Sequence, residues 1–492
     1  MIVQRLFSLI SILALKATAS EVSSKEDFLA LGDSALAQNE IPKVIRNYEL
    51  GLEIKEDTDS IVTSLSLFTN LGTAHSSNGD ELSALQMYKK AILLHSEKSD
   101  EISDIEDKKS SDDIAAQASF FLGMTQEELG NPKKAADAYS YANTLDPLHW
   151  ASLANLGSIL HDKLHSPAEA IISYNKAYEI LTQKDKEPTD PPEHPRFVLS
   201  QLQYRIGLSV TYADGRKCAM QHEPTRELSC SEIAANAFNL ALTLDPDNES
   251  ARHMLAAVTA DATMERASNS YVTSLFEEYA ENFEHSLVDE LGYDGFQRLR
   301  KGFDKAFGGS RNVPRFQVVV DAGCGTGLVG EQFRDISEYL IGVDLSPSII
   351  DEANKARPNL YNETRVGDIT EFFRDLKPIS LIVAADSFIY FGDLVPLFES
   401  IEEGLADNGI IAFTLENVPN DTEESLYANK PDWRWQLTAS GRFAHRYDYV
   451  KQVGQNHSLR TVHYESMDGF RKEGSMDVRG HMFIMKKIGK EL

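Results

Sequence analysis

Gly123, Ala135, Tyr139, Ala142 and Pro147 stand at offsets of 0, 12, 16, 19 and 24 in the stretch LGMTQEELGNPKKAADAYSYANTLDP. Gly72, Ala84, Tyr88 and Ala91 keep the same spacing, and so do Gly32, Tyr48 and Gly51, with Val44 in the second small position. Gly157, Ala170, Tyr174 and Ala177 fit with one inserted residue; Gly207, Ala234, Phe238, Ala241 and Pro246 fit with a longer insertion. A spacing of this kind leaves few folds. Small residues on two successive helices let their backbones approach, an aromatic ring fills the gap, and proline stops the second helix. About five such units are enough for a self-supporting helical solenoid.

The spacing resembles the tetratricopeptide repeat. The resemblance implies that residues 20–260 form an all-α solenoid whose concave face holds a protein or peptide partner. Two segments interrupt the rhythm and are expected to be loops: the charged, Ser-rich 97–113 and the Pro-rich 184–195. Cys218 and Cys230 lie in the insertion of the fifth repeat. In an oxidising compartment they would close a short loop; in a reducing one they would be two free thiols.

From about residue 262 the pattern changes to apolar strands alternating with helical segments. FQVVVDAGCGTG ends in Asp321 and three glycines, YLIGVDLS ends near Asp344, ETRVGDIT leads past a short strand to Asp368, and SLIVAADSFIYF and NGIIAFTLE follow. Alternation of this kind predicts a parallel sheet with ligands at the carboxyl ends of its strands. An acid directly before the glycine turn would repel a pyrophosphate, and no Gly-Lys-Ser/Thr follows, so the turn suits a ligand with an amino group rather than a phosphate. Asp344, about 20 residues on, is placed to accept hydrogen bonds from ribose hydroxyls.

These residues resemble the class I S-adenosylmethionine-dependent methyltransferases over 271–488. The resemblance implies a Rossmann-like α/β domain (261–492) that binds S-adenosylmethionine. It places Asp321, Gly323, Cys324 and Gly325 at the methionine end, Asp344 on the ribose and Leu345 beside the adenine. Asp368 would receive the adenine amino group, Ile369 would pack on the ring, and Ala385 would contact the cofactor from the fourth strand. A closer resemblance is to methyltransferases that carry tetratricopeptide repeats. It rests on YVTSLFEEYAENFEHSLVDELGY, AADSFIYFGDL and SGRFAHRYDYV, and it makes Tyr279, with Tyr271 and Phe283, part of a lid helix. Cys324 is expected to be chemically inert.

Methyl transfer from a sulfonium needs alignment and exclusion of water, and a base only where the acceptor arrives protonated. Asp386 and Tyr390, after the fourth strand, are the candidates to orient an acceptor. His445 is the candidate base, and Arg442 the candidate for an acceptor carboxylate. Trp433 and Trp435 are expected to be covering residues. No metal site is expected.

Lys plus Arg number 48 and Asp plus Glu 76, a net charge of −28. That excess disfavours a general nucleic-acid binder and a binder of anionic membranes. Residues 1–19 read as a secretory signal peptide: Arg5, an apolar run from Leu6 to Leu15, and small residues before a cleavage after Ala19. With the terminal Lys490-Glu491-Leu492 they point to the secretory pathway and the endoplasmic reticulum lumen, the mitochondrion and cytoplasm being the alternatives. The expected function is methyl transfer to a protein acceptor recruited by the repeats. The alternatives are a small-molecule methyltransferase whose repeats serve assembly, and a non-enzymatic scaffold.

Overall fold

The computed structural model describes residues 24–54, 60–185, 187–213, 228–279, 284, 288, 292–418, 432–473 and 476–489. The expected signal segment, Cys218, Phe283 and the terminal Lys490–Leu492 lie outside them. The chain divides into two compact units, Met1–Asp245 and Pro246–Leu492.

The first unit is a run of antiparallel helix pairs: α1 (Lys25–Ala37) with α2 (Ile41–Glu53), α3 (Ile61–Ser77) with α4 (Glu81–Lys98), α5 (Ile105–Glu128) with α6 (Pro132–Leu145), α7 (Trp150–Asp162) with α8 (Pro167–Thr182), and α9 (Pro195–Tyr212) with α10 (Cys230–Leu244). Each pair closes in the same way. A Cβ added at Gly32, Gly72, Gly123, Gly157 or Gly207 would lie 2.0 to 2.6 Å from the ring of Tyr48, Tyr88, Tyr139, Tyr174 or Phe238. The ring therefore occupies the place of the missing side chain, and all five rings are buried. Ala84, Ala135, Ala170 and Ala234 are fully buried on the partner helices, as the spacing requires. This is the tetratricopeptide arrangement expected from the sequence.

The charged stretch 97–113 leaves only residues 99–104 between α4 and α5, since α4 runs to Lys98. The Asp104 side chain accepts from the backbone N–H groups of Glu106 and Asp107 and starts α5, so residues 105–113 are its opening turns. A good N-cap outweighs a polar composition when the charges fall on the solvent face. The Pro-rich segment behaves as expected, and Pro195 opens α9 at a position where its missing N–H costs nothing. Cys230, at the start of α10, is disulfide-bonded.

Among the described residues the second unit begins with the helices α11 (Glu249–Val258), α12 (Asn269–Tyr279) and α13 (Gly295–Ala306). The expected boundary at 260/261 therefore moves to 245/246. The reason is His253 of α11. Its ring stacks on Tyr271 (centroids 4.0 Å apart), and its Nε2–H donates to the carbonyl of Gly441 at 2.7 Å.

The strands are β1 (Phe316–Ala322), β2 (Ser337–Asp344), β3 (Glu363–Val366), β4 (Ile379–Ala384), β5 (Leu405–Asn417), β6 (Trp435–Leu437), β7 (Phe443–His445), β8 (Leu459–Glu473) and β9 (Met476–Lys487). Their intervening helices are α14 (Leu328–Phe333), α15 (Pro347–Ala356), α16 (Ile369–Asp375), α17 (Val395–Gly404) and α18 (Tyr447–Asn456). Five strands run parallel in the order β3-β2-β1-β4-β5. β9 joins β5 antiparallel and β8 joins β9, while the short β7 also pairs β5 through Ala444 and Glu416. Both faces are covered, so the central strands read as unbroken apolar runs. Phe296, Leu299 and Phe303 of α13 pack with Val329 and Phe333 of α14 on one face. Phe372, Phe373, Phe398 and Val450 of α16, α17 and α18 pack on the other. The strand order reverses between β1 and β4, and a crevice opens there at the carboxyl ends.

Candidate cofactor and active site

The turn after β1 is shaped by backbone contacts. The N–H groups of Gly323 and Cys324 both donate to the carbonyl of Val343, at 2.9 and 3.0 Å, which bends the chain over the end of β2. Gly323 has φ +71°, and a Cβ there would lie 2.4 Å from Cβ of Ser387, so no other residue fits. The Ser387 hydroxyl donates to the Ala322 carbonyl at 2.7 Å and fixes the loop after β4 against the turn.

Asp344 closes β2 beside this turn. Its Oδ2 accepts from Gly325 N–H at 2.9 Å and its Oδ1 from Ser346 N–H at 3.1 Å. The Leu345 N–H draws on the same carboxylate, so three backbone donors meet oxygens that together offer about four acceptor sites. Burial pushes the carboxyl up, against the pull of these backbone donors. A cleft opens in front, lined among others by Gly323, Cys324, Gly325, Asp344, Leu345, Ile369, Ala385, Asp386 and Tyr390. The structure thus gathers most of the expected cofactor residues at one wall. Cys324 is buried, and burial among Asp344 and Asp321 pushes its thiol well up, so it is inert.

Asp321 is placed differently from expectation. It is fully buried beneath the turn and does not line the cleft. Its Oδ2 accepts from Tyr361 Oη at 2.7 Å, and burial raises the carboxyl to about 7 against the pull of Tyr361 and the Gly330 backbone. Tyr361 is the post under the turn: its ring and hydroxyl lie within 2.5 to 3.4 Å of where a Cβ on Gly327, Gly330 or Gly342 would be.

Asp368 also departs from its expected role. It N-caps α16, with Oδ1 accepting from both the N–H (2.8 Å) and the hydroxyl (2.7 Å) of Thr370. Its Oδ2 accepts from Arg266 Nη2 at 2.5 Å and Asn269 Nδ2 at 3.0 Å. Burial alone would raise this carboxyl, but these bonds and the Arg266 charge hold it below its ordinary value. Four donors fill both oxygens, so the adenine amino group finds no vacant acceptor there. Ile369, next in sequence, does line the cleft.

His445 is not a base in this cleft. It is fully buried in β7, its Nε2 bonded to the Gly392 carbonyl at 3.1 Å, and it does not line the cleft. Burial lowers it to about 4. A ring kept neutral and hidden serves packing.

Asp386 and Tyr390 are both at the cleft wall. Asp386 holds φ +59°, rare for a residue with a side chain, and its N–H donates to Thr414 Oγ1 at 2.9 Å. Backbone held in such a state by a buried hydroxyl is characteristic of functional loops. Tyr390 meets Phe276 edge-to-face, with centroids 5.9 Å apart. Arg442 also lines the cleft. Trp435 packs against Gly392 and donates from Nε1 to the Met264 carbonyl, as covering residues do.

The lid expectation needs a shift of one position. Tyr271 points to His253 and Met254, while Asn269, Val272 and Phe276 line the cleft. Offsets of 3 and 7 place those three on one helical face. Tyr279 ends α12, and its side chain lies outside the described residues. Sequence reasoning missed Arg266, Asn269 and Ser387. The only signal for the first two was an Arg and an Asn just ahead of the aromatic helix.

The geometry fits S-adenosylmethionine. The Asp344 oxygens retain acceptor capacity at the strand end, the turn admits close approach at Gly323, and Leu345 and Ile369 offer apolar surface. Residues 319–409 match the family model described as "Methyltransferase domain". The chain is 31% identical over 142 residues to the Photosystem I assembly protein Ycf3 of Synechococcus elongatus, covering 28% of this chain and 75% of that one. Among solved structures, magnesium protoporphyrin IX methyltransferase from Synechocystis with bound S-adenosylhomocysteine matches at 12% identity, TM-score 0.33, over 45% of this chain and all (100%) of that one. The MamA protein matches at 18% identity, TM-score 0.30, over 45% of this chain and 92% of its own length.

Proposed function

We propose, from the premise that the chain belongs to the tetratricopeptide-repeat proteins and carries a class I S-adenosylmethionine-dependent methyltransferase domain, that it methylates a protein or peptide acceptor held by its repeats. The observation that carries this reading is the complete set of five ring-in-notch helix pairs on the same chain as the cofactor cleft. A solenoid of that length offers an extended concave surface for a peptide.

S-adenosylmethionine supplies an activated methyl group that needs no further activation by the protein. The work left to this chain is binding, orientation and drying. Asp344 accepts from the ribose, the Gly323–Gly325 turn gives close approach, and Leu345 and Ile369 flank the base. Asp386 and Tyr390 orient the acceptor at the end of β4. Val272, Phe276 and Tyr390 exclude water from the reacting atoms, which strengthens alignment in the transition state. A second reading is a small apolar acceptor with repeats used for assembly. The aromatic lining from Phe276, Tyr293, Phe296 and Phe391 favours it.

The test is transfer of labelled methyl by the full chain to an extract of total cellular proteins and metabolites, with Asp344→Ala as control. Label in the protein fraction that the control loses supports the peptide reading. Label confined to small molecules replaces it with the second reading.

The disulfide at Cys230 supports a secretory, oxidising compartment. Protease protection of the chain in intact microsomes tests this; cleavage without detergent would exclude a lumenal protein.

A further inference from the structure

Ahead of α12 the segment Glu265–Asn269 is tied to two loops of the sheet. The Glu265 carbonyl accepts from the N–H groups of Gly392 and Asp393, both at 2.8 Å, and Ala267 N–H donates to the Tyr390 carbonyl at 2.9 Å. Arg266 pairs antiparallel with Phe391, and its guanidinium lies over that ring, 4.4 Å from the centroid. This fixes the segment on the loop after β4. Its second tie is to the loop after β3, through Arg266 and Asn269 on Oδ2 of Asp368. Arg266 Nη2 also donates to Asn269 Oδ1 at 3.0 Å, so the three side chains form a closed triangle. A third tie lies two turns into α12. Glu277 accepts from the hydroxyls of Ser346 and Ser348, both at 2.7 Å, at the start of α15 after β2.

The two strand-end carboxylates are therefore unlike. Asp344 is met by backbone N–H groups alone, whereas Asp368 has two donors on each oxygen, three of the four from side chains. We propose that Asp368 is a positioning residue, the anchor by which Arg266 and Asn269 strap the start of α12 across the adenosine end of the cleft, and not the reader of the adenine 6-amino group. The strap carries Asn269, Val272 and Phe276 to the cleft wall. Adenine is held by shape and packing against Leu345 and Ile369. This role presupposes the cofactor assignment above.

The test is titration of the full chain with S-adenosylhomocysteine and with its deaminated analogue, which bears a 6-oxo group for the 6-amino group. The proteins are wild type, Asp368→Asn, Arg266→Met and the double variant. Each single substitution is expected to weaken both ligands about tenfold through faster dissociation. The double variant is expected to be no weaker than either single one, because both break the same tie. The ratio of the two ligands' affinities stays the same in all four proteins. A ratio that collapses in Asp368→Asn shows that Asp368 reads the base and overturns the proposal, as do losses that multiply in the double variant. Should Arg266→Met not fold, Asn269→Ala removes one donor of the four. Equal few-fold losses for the two ligands then support the strap, and unequal losses overturn it. A wild-type chain that binds neither ligand overturns the cofactor assignment and the strap's role with it.

Discussion

Three buried side chains set opposing pH responses. Asp321 is raised to about 7 by burial, so its contribution to stability is complete below its ordinary value and is lost as pH rises through 7. Asp321→Asn removes that dependence. Wild type is expected to lose up to about 4 kcal/mol relative to the variant between pH 4 and pH 8, read from denaturant midpoints across the range. Equal slopes for the two proteins would place the carboxyl elsewhere. His445 and His481 are lowered to about 4 by burial, and His481 Nε2 donates to the His445 carbonyl. Their contribution is present above the ordinary histidine value and lost as pH falls through 4. His445→Gln is expected to reduce this acid sensitivity and leave S-adenosylhomocysteine affinity within about twofold, since surface and packing changes away from a site act on stability alone. A large loss of affinity would return His445 to the site. At this scale the sequence was half legible. Asp344 and Gly323 stand where a strand end and a turn had to put them. Asp368 could not be read, because the residue that occupies it, Arg266, is 102 positions away in sequence.

The elements were legible where a period repeats. Five helix pairs followed from glycine-to-aromatic spacing, and the parallel strands from apolar runs punctuated by acids. Element allegiance was not. The face of α11 carrying His253, Met254 and Ala257 shows that the helix is packed, but no periodicity names its partner. Likewise the opening of α5 hid behind a solvent-facing charge pattern. The notch makes a sharp prediction. Gly123→Ala puts a methyl group 2.5 Å from the Tyr139 ring, and overpacking of this kind costs about 1–3 kcal/mol. Thermal unfolding of the full chain checks it, and Gly123→Ala with Tyr139→Leu should recover part of the loss. A neutral Gly123→Ala would mean that the pair can slide apart.

The molecule as a whole is strongly anionic, at −28. Its field should favour cationic peptides among potential partners, and their association rates should fall as the Debye length shrinks from about 30 Å at 0.01 M salt to about 8 Å at 0.15 M. Stopped-flow mixing with basic and acidic peptides of equal length tests this; equal rates at low salt would show that the binding surface does not share the overall charge. Tyr361 carries a different lesson, for inherited variation. This single side chain, half-buried behind the glycine turn, forbids a methyl group at Gly330 and crowds one at Gly342 and at Gly327. Gly330 and Gly342 belong to no recognisable motif. A missense change at either would pass as a harmless swap in a helix or a strand, yet it would push the post out from under the cofactor turn. Such alleles would be expected to group genetically with losses of the turn itself.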